Sequence, residues 1–478
     1  MRGTACLGAI VVAALVALAG PAAAQSGRTQ SAAAQQAEIL ASVGGAYEGP
    51  QAAYVRRVGE RMATAAGMPG RCVFTIVNSE VVNAFTAPPG CYVYVTRGLL
   101  AIMNSEAELA AVLGHELGHV AAKHAMRQKN TEALTGIAAA LAGALTKSEM
   151  VGQLASQAGQ LGALGFSRSQ EYEADTLALR YLPSANYSVD GMSRVLADLQ
   201  REEALTRGAS GGKPQKLAAW GSTHPLTTDR IQRVDAAAAK LPPQEGLVAN
   251  EAAFLTALDG LPYGEDPSKG YARGSSFIHP GLRITFDAPS GARLVNSNEA
   301  VGITGPGDLR GKFAGGGSLS GGLDAYAADV MRQLVGQAQA QIGSPRRTTV
   351  NGLDAAIVQA RGTSQGAAVD ATVVAYALDG RAYQFVTLAP AGQTAPYEPM
   401  FRSFRRLSDR EVATAGGQRI AIVTVRPGDT AETLGGRMVA TGDGVARFRM
   451  LNGLGPGQPL EPGRRVKLVT DLSPRPRS

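Results

Sequence analysis

The sequence predicts a multidomain α+β protein in three parts: a mainly helical first domain with a small β-sheet, an α+β sheet domain, and a small βααβ module. Three observations support this prediction. A chain of 478 residues is long enough for roughly three domains. The composition changes at a Pro-Pro pair within the segment 241–250. Helical periodicity dominates before that pair, whereas alternating strand-like runs separated by turn signals dominate after it.

The segment 1–24 has the pattern of a secretory signal peptide. Arg2 provides a short basic start, residues 5–19 form an apolar core, and Ala22-Ala23-Ala24 before Gln25 matches an A-x-A cleavage site. We therefore predict that the mature chain is exported to a bacterial periplasm. We expect it to be soluble or peripherally bound to a membrane, with no transmembrane span.

The first domain, residues 25–248, is organised around a helix that contains the sequence His-Glu-x-x-His. Ser105 and Glu108 have the spacing of a capping box, and apolar residues follow at helical intervals with no proline. His115 and His119 lie one turn apart on such a helix, so both imidazoles can bind one metal ion. Glu116 stands beside them, placed to take a proton from a water. Two neutral imidazoles suit Zn²⁺, and a hydrolytic zinc needs one further protein ligand and an open position.

The further ligand is expected on a later helix, which begins after a second capping-box pattern at Ser167. Glu171 and Asp175 are four residues apart there, so they share a face of the helix. One carboxylate can bind the metal while the other holds the distal N–H of a ligand histidine. A solvated acidic first turn is the alternative explanation of the pair. His124 is five residues past His119 and is predicted to face away from the site.

Four motifs in one order give residues 35–245 a resemblance to a known family. They are Asn83-Ala84-Phe85, His115-Glu116-Leu117-Gly118-His119, Glu171-Tyr172-Glu173-Ala174-Asp175, and Thr223-His224-Pro225 with Arg230. This order resembles the HtpX-like zinc metallopeptidases, which are gluzincins, and specifically their periplasmic BepA-like branch.

The resemblance implies one zinc ion per chain, with Glu171 as its third protein ligand and Asp175 behind the ligands. It also implies that the strand Asn83-Ala84-Phe85 borders the cleft and pairs with an extended substrate backbone. For His224 and Arg230 it implies a donor to the oxyanion of the tetrahedral intermediate. His224 has two alternative roles, namely a fourth ligand that closes the site and a cap for the helix that begins near Thr228.

The two cysteines that remain after export are Cys72 and Cys91. If each begins a strand of one antiparallel hairpin, the two lie at opposite ends, about 20 Å apart, and cannot form a disulfide. A different strand arrangement permits the bond, which an oxidising compartment favours. The sequence leaves both alternatives open.

Two segments of the first domain raise the question of access to the site. Residues 134–145 are almost wholly Ala, Leu, Gly and Ile, and the segment is too short to span a bilayer. A packed helix is the preferred interpretation, and a membrane-surface or plug helix near the cleft is the alternative. Residues 207–215 are predicted to form a flexible loop that provides the hinge of a gate.

The second domain, residues 270–410, is predicted to be a strand-rich α+β sheet domain backed by helix. Residues 282–286 form a strand-like run, residues 323–342 an Ala-rich helix, and residues 367–378 and 382–388 a hairpin about Asp379-Gly380. This domain contains no catalytic constellation. His279, which precedes a proline, is predicted to be structural.

The last unit, residues 419–471, resembles a LysM module in its first turn, 425–430, and in Asn452-Gly453-Leu454. The resemblance implies a βααβ fold that binds glycans containing N-acetylglucosamine, such as peptidoglycan. Glycines interrupt the expected helices at Gly435, Gly436, Gly442 and Gly444. A purely structural cap is therefore the alternative to a wall anchor.

Composition and charge exclude few function classes. The net charge of +7 suits contact with anionic wall polymers or headgroups, and no nucleic-acid motif is present. Two functions compete. One is a zinc endopeptidase that acts on misfolded or stalled envelope proteins, including outer-membrane proteins. The other is a non-proteolytic, chaperone-like or peptidoglycan-binding envelope protein with a closed zinc site.

Overall fold

The structure is a computed structural model. It describes residues 31–127, 166–209, 219–224, 228–242, 245–296, 300–306, 309–336, 338–364, 366–439 and 443–471. The predicted signal peptide, the segment 134–145, Pro225 and most of the predicted loop 207–215 lie outside these residues. Residues 207–209 end a helix instead of beginning that loop. Two compact units result: residues 267–415 form one, and the described residues on either side of them form the other, called here the catalytic unit.

Most helices of the catalytic unit precede residue 267. They are α1 (Ala32–Ser42), α2 (Gln51–Ala65), α3 (Arg97–Ile102), α4 (Glu106–Ala121), α5 (His124–Arg127), α6 (Arg168–Ser184), α7 (Asp190–Ala209), α8 (Ala219–Thr223), α9 (Thr228–Ala238) and α10 (Glu251–Leu258). None of the helices in the described ranges combines the length and hydropathy needed to cross a bilayer.

Helix α4 is the central element of this unit. As predicted, Ser105 caps it, because its Oγ accepts a hydrogen bond from the backbone N–H of Glu108 at 3.2 Å. Every residue from Glu106 to His119 is buried, and α4 packs against α2, α6 and α7. An apolar helix that is buried on all sides holds its side chains in fixed positions, which a metal site requires.

A three-stranded sheet lies beside α4, with the order β1 (Cys72–Val77), β3 (Cys91–Thr96), β2 (Ala84–Thr86). Of the two arrangements that the sequence left open for the cysteine strands, the antiparallel hairpin is not the one observed. β2 pairs with β3 in the antiparallel sense, and β1 pairs with β3 in the parallel sense. Parallel pairing places Cys72 opposite Cys91, and the two form a disulfide. The arrangement that permits the bond is therefore the one observed.

Residues 267–415 contain two antiparallel sheets. The four-stranded sheet has the order β16-β7-β6-β5. The eight-stranded sheet has the order β11-β13-β14-β15-β10-β9-β8, with β12 also paired to β13. The strands, with β4 of the catalytic unit, are β4 (Pro262–Tyr263), β5 (Tyr271–Arg273), β6 (Ser276–His279), β7 (Ile284–Asp287), β8 (Arg293–Asn296), β9 (Val301–Thr304), β10 (Arg310–Ser318), β11 (Ala340–Ile342), β12 (Arg346–Val350), β13 (Leu353–Ser364), β14 (Ala367–Leu378), β15 (Arg381–Pro390) and β16 (Arg405–Arg406).

The predicted hairpin about Asp379-Gly380 is confirmed, since both residues have positive φ between β14 and β15. The predicted helix 323–342 is too long. Helix α11 (Gly322–Val335) packs on β13 and β14 but ends before Gly336, whose φ of 55° breaks the helix, and β11 follows. The short helices α12 (Glu398–Ser403) and α13 (Asp409–Thr414) complete the unit. His279 Nδ1 accepts a hydrogen bond from the backbone N–H of Leu282 at 3.1 Å.

The C-terminal module, residues 416–471, belongs to the catalytic unit. It contains β17 (Gln418–Thr424), α14 (Ala431–Gly435), α15 (Gly444–Leu451) and β18 (Arg465–Asp471), with β17 and β18 antiparallel. β17 also pairs with β4, and the module shares one hydrophobic core with the first domain. Gly435, Gly436 and Gly444 lie at helix ends, so they delimit the two helices without interrupting them. Gly442 lies outside the described residues.

Candidate metal centre

Close packing of α4 against α6 builds the site. A Cβ placed on Gly118 would lie 3.0 Å from both the Cα and the carbonyl oxygen of Ala174. Glycine at this position therefore lets the two helix backbones approach closely. The approach brings Glu171, in the first turn of α6, to the face of α4 that presents His115 and His119.

The three predicted ligands meet at one point. His115 Nε2 lies 3.0 Å from His119 Nε2. Glu171 Oε2 lies 3.5 Å from His115 Nε2, and its Oε1 lies 3.4 Å from His119 Nε2. These side chains are at most 2% exposed. Donor atoms about 2.0–2.2 Å from a tetrahedral zinc ion lie about 3.3–3.6 Å from one another, so this donor set fits zinc.

Each of the two predicted ligand histidines has a partner at its Nδ1. Asp175 Oδ1 lies 2.8 Å from His115 Nδ1, on the side away from the other ligands. His124 Nδ1 lies 2.8 Å from His119 Nδ1. The prediction that His124 faces away is wrong, because α4 ends at Ala121 and the chain reverses at Lys123, whose φ is 54°. Helix α5 then returns the imidazole of His124 to the site, fully buried.

Arg230, on α9, joins the two acidic residues of α6. Its Nε and Nη2 donate to the two carboxylate oxygens of Asp175, both at 2.7 Å, and its Nη1 lies 2.8 Å from Glu171 Oε2. Burial alone would raise the pKa of Asp175, but the charge of Arg230 and the hydrogen bonds of His115 and Arg230 hold it below its usual value. The guanidinium of Arg230 is therefore already engaged by the carboxylates of Asp175 and Glu171.

His224 lies among the ligand atoms. Its Nδ1 is 3.0 Å from Glu171 Oε1 and 3.4 Å from His115 Nε2, and its Nε2 is 3.5 Å from Glu116 Oε1. His115, His119, Glu171 and His224 together offer four ligand atoms, all within 4.8 Å of one another. The imidazole thus points into the cluster, which is the geometry of a fourth ligand.

Glu116 is fully buried, and neither of its carboxylate oxygens has a hydrogen-bond partner among the described residues. Burial raises the pKa of this carboxyl. A buried carboxylate without a partner is costly unless a bound group or water satisfies it. Together with the neighbouring donor set, this observation fits a metal ion with a water beside Glu116.

The predicted substrate strand lies at an edge of the three-stranded sheet. Ala84 and Phe85 belong to β2, whose sheet partner is β3, and both side chains are buried. Asn83 precedes β2 and donates its backbone N–H to Thr96 Oγ1 at 3.1 Å. Its side-chain oxygen accepts a hydrogen bond from Thr223 Oγ1 at 3.5 Å, next to His224 in the chain. What this strand can offer a ligand is therefore mainly its backbone.

The sequence interpretation missed several side chains around the ligands. Phe166 stacks on the ring of His119 with 3.9 Å between centroids, and Trp220 lies 4.6 Å from the ring of His224. Glu173 Oε2 lies 3.0 Å from His124 Nε2. No sequence pattern identified these side chains. Phe166 directly precedes the N-cap Ser167, but the residue that a hydrophobic staple would pair with it is Glu171, which is not apolar.

Comparison with known proteins places the chain among metallopeptidases. Residues 50–238 match the family model described as Peptidase family M48. The chain is 33% identical over 189 residues to the metalloprotease YcaL of Escherichia coli, covering 37% of this chain and 69% of YcaL. It is 30% identical over 222 residues to a protease HtpX homologue of Streptococcus equi, covering 37% and 70% of the two chains.

A third relative is the Vibrio cholerae protein named as a beta-barrel assembly-enhancing protease. It is 32% identical over 200 residues, which cover 40% of each chain. The chain also spans 52% of the mitochondrial metalloendopeptidase OMA1 of Schizosaccharomyces pombe, at 30% identity. The chain therefore matches about half or less of the length of these two relatives. The resemblance to HtpX-like and BepA-like peptidases is confirmed at the level of the family.

Proposed function

This chain belongs to peptidase family M48, and we propose that it is an exported zinc-dependent endopeptidase that hydrolyses misfolded or stalled cell-envelope proteins. One observation carries the proposal: a buried set of two imidazoles and a carboxylate lies beside a buried carboxylate, Glu116, that has no hydrogen-bond partner among the described residues. This is the arrangement that metal-assisted hydrolysis of a peptide bond requires.

Each residue of the proposed zinc site has a distinct role in hydrolysis. His115, His119 and Glu171 would hold Zn²⁺, and Asp175 and Arg230 orient them. When bound, the ion supplies Lewis acidity that polarises the scissile carbonyl and lowers the pKa of water. Glu116 accepts a proton from the attacking water and then donates it to the amine of the leaving segment.

His224 acts as a gate in this proposal. Among the ligand atoms, its imidazole fills the position that a water or a substrate carbonyl needs, so the described conformation is closed. When the imidazole swings aside, the position opens. The alternative role of His224 is to donate to the oxyanion of the tetrahedral intermediate, in which case its removal would slow cleavage. Arg230 is a weaker candidate for that donor, because Asp175 and Glu171 already engage it.

Envelope proteins are proposed as substrates on three grounds. The name of the Vibrio cholerae relative refers to beta-barrel assembly, which suggests outer-membrane proteins. The Cys72–Cys91 disulfide is typical of an oxidising compartment, in keeping with a periplasmic location. The edge position of Asn83, Ala84 and Phe85 suits backbone pairing with an extended, unfolded segment.

A second function is favoured by the position of His224. A site held closed by a fourth protein ligand suits a chaperone-like or peptidoglycan-binding envelope protein that does not cleave peptides. In that case residues 419–471, which resemble a LysM module, would contact the glycan. Contact of the protein with a membrane surface is likewise a proposal.

Casein digestion separates the two functions. The mature chain, residues 25–478, is loaded with zinc and compared with its Glu116→Gln and His224→Ala variants. We expect Glu116→Gln to bind zinc but to lose cleavage by at least about 10²-fold, because the proton acceptor is gone. We expect His224→Ala to cleave as fast as the wild type or faster, because the gate is removed.

The matched control is Glu38→Gln, which makes the same chemical change at an exposed position and should leave cleavage unchanged. Cleavage retained by Glu116→Gln would contradict the proposed mechanism. Zinc binding without cleavage by any of the four proteins would instead support the chaperone-like alternative.

A further inference from the structure

We propose that His124 and Glu173 are positioning residues that fix the tautomer and the orientation of the zinc ligand His119. The inference rests on the proposed zinc site and concerns how one of its ligands is held. The structure places the three side chains in a row. His119 Nδ1 lies 2.8 Å from His124 Nδ1, and His124 Nε2 lies 3.0 Å from Glu173 Oε2.

The position of each proton along this row follows from which nitrogen must donate a hydrogen bond and which must accept one. His119 turns its Nε2 toward His115 and Glu171, so this nitrogen must present its lone pair to a metal ion. A neutral imidazole then carries its proton on Nδ1, so His119 donates and His124 Nδ1 accepts. His124 must in turn carry its proton on Nε2, which donates to the carboxylate of Glu173.

The middle of the row is buried, whereas its carboxylate end is partly exposed. His124 is fully buried, and the ring of Phe166 lies 5.8 Å from its ring. Glu173 projects from α6 two residues after the ligand Glu171, and its Oε2 also accepts a hydrogen bond from Arg127 Nη1 at 3.0 Å. Helices α5 and α6 therefore supply the two residues behind His119. Helix α6 carries both the proposed ligand Glu171 and Glu173, which anchors His124.

The two ligand histidines are held in different ways. His115 contacts the carboxylate of Asp175 directly. His119 contacts His124, which in turn contacts the carboxylate of Glu173. Without His124, the Nδ1–H of His119 would be buried with no acceptor from this row, and the other tautomer, which cannot bind the metal through Nε2, would become favourable. Removing partners behind a metal ligand typically weakens metal binding by about 10–100-fold.

The test measures zinc affinity of the whole mature chain by competition with a chromophoric chelator, so it needs no cleavage. His124→Phe keeps a ring but removes the acceptor, and we expect zinc binding about 10–100-fold weaker. His124→Asn can place its side-chain oxygen near the former Nδ1 position, so we expect it to restore most of the lost affinity. Glu173→Ala should have an intermediate effect, because His124 then keeps its place but loses its anchor.

Two controls separate positioning from general damage. His279→Phe removes the one histidine of the chain that lies in residues 267–415 and should leave zinc affinity unchanged. Thermal unfolding of the metal-free proteins should show His124→Phe to be about as stable as the wild type. The visible spectrum of the Co²⁺-loaded protein should change in His124→Phe and return toward the wild type in His124→Asn.

Wild-type affinity in His124→Phe would overturn the inference, as would an Asn variant that binds zinc as weakly as the Phe variant. If His124→Phe does not fold, the Asn and Glu173→Ala variants decide by the same comparison. A wild-type protein that binds zinc but does not cleave casein would refute the proposed function alone. A wild-type protein that binds no zinc would refute both.

Discussion

At the scale of single residues, the site depends on buried carboxylates that are paired with a buried guanidinium. Arg230 is fully buried and is shared by Asp175, which contacts His115, and by Glu171, the proposed third ligand. Burying such charges costs free energy that only their mutual pairing offsets. The role of Arg230 is therefore to hold two carboxylates at fixed positions.

We predict that Arg230→Gln destabilises the metal-free protein by about 3–5 kcal/mol, because two carboxylates lose their buried partner. Zinc affinity should fall as well, since Glu171 loses its orientation. Denaturant unfolding followed by tryptophan fluorescence measures the first effect. The chain has a single tryptophan, Trp220, which lies in the catalytic unit, so the signal reports that unit.

Arg233→Gln is the matched control. Arg233 is on the same helix, and its exposed ion pair with Asp229 should contribute less than about 1 kcal/mol. Equal unfolding free energies for the two variants would contradict the role given to Arg230. An Arg230→Gln variant that keeps its stability and zinc affinity but loses the rate of cleavage would indicate an oxyanion donor instead.

Sequence patterns were sufficient for the residues whose positions follow from helical geometry. His115, Glu116 and His119 share one helix, and the spacing of Glu171 and Asp175 places both on one face of the next. His124 was missed because its position depends on a reversal at Lys123, a non-glycine residue with positive φ that no periodicity announces. Trp220 and Phe166 reach the site through tertiary packing.

At the scale of elements, helix α4, which carries His115 and His119, is held at its start by the C-terminal strand β18. Lys467 is fully buried, and its Nζ donates to the carbonyl oxygens of Ala101 at 2.8 Å and Met103 at 2.6 Å, just before α4 begins. Burial lowers the pKa of Lys467 to about 8, while the charges of Asp198 and Glu108 oppose that shift. A side chain near the end of the sequence thus stabilises the entry to the catalytic helix.

We predict that Lys467→Met destabilises the catalytic unit by about 3–5 kcal/mol, because two carbonyl oxygens and two carboxylates lose a buried cation. Arg465→Met is the control on the same strand. Arg465 is partly exposed and donates to Ala252 O and Thr256 Oγ1, so its loss should cost about 0.5–1.5 kcal/mol.

Tryptophan fluorescence again reports the unfolding of this unit. Equal free energies of unfolding for the Lys467→Met and Arg465→Met variants would contradict the role given to Lys467. A C-terminal module that only tethers the protein to a glycan would give that result, because its removal would leave the catalytic core intact.

At the scale of the whole molecule, the compact units do not follow the order of the chain. The sequence indicated successive domains at 25–248, 270–410 and 419–471, whereas the catalytic unit combines described residues before 267 with residues 416–471. Hydrophobic periodicity shows which face of a strand or helix is buried but not which distant element covers it. The pairing of β17 with the two-residue strand β4 gave no sequence signal for the same reason.

The central claim is that His115, His119 and Glu171 jointly bind one zinc ion. Anomalous scattering at the zinc absorption edge, measured on crystals of the zinc-loaded mature protein, tests it most directly. We expect a single strong peak about 2.0–2.2 Å from the Nε2 atoms of both histidines and from a carboxylate oxygen of Glu171. The absence of a peak there, or a peak bound by other side chains, would contradict the claim.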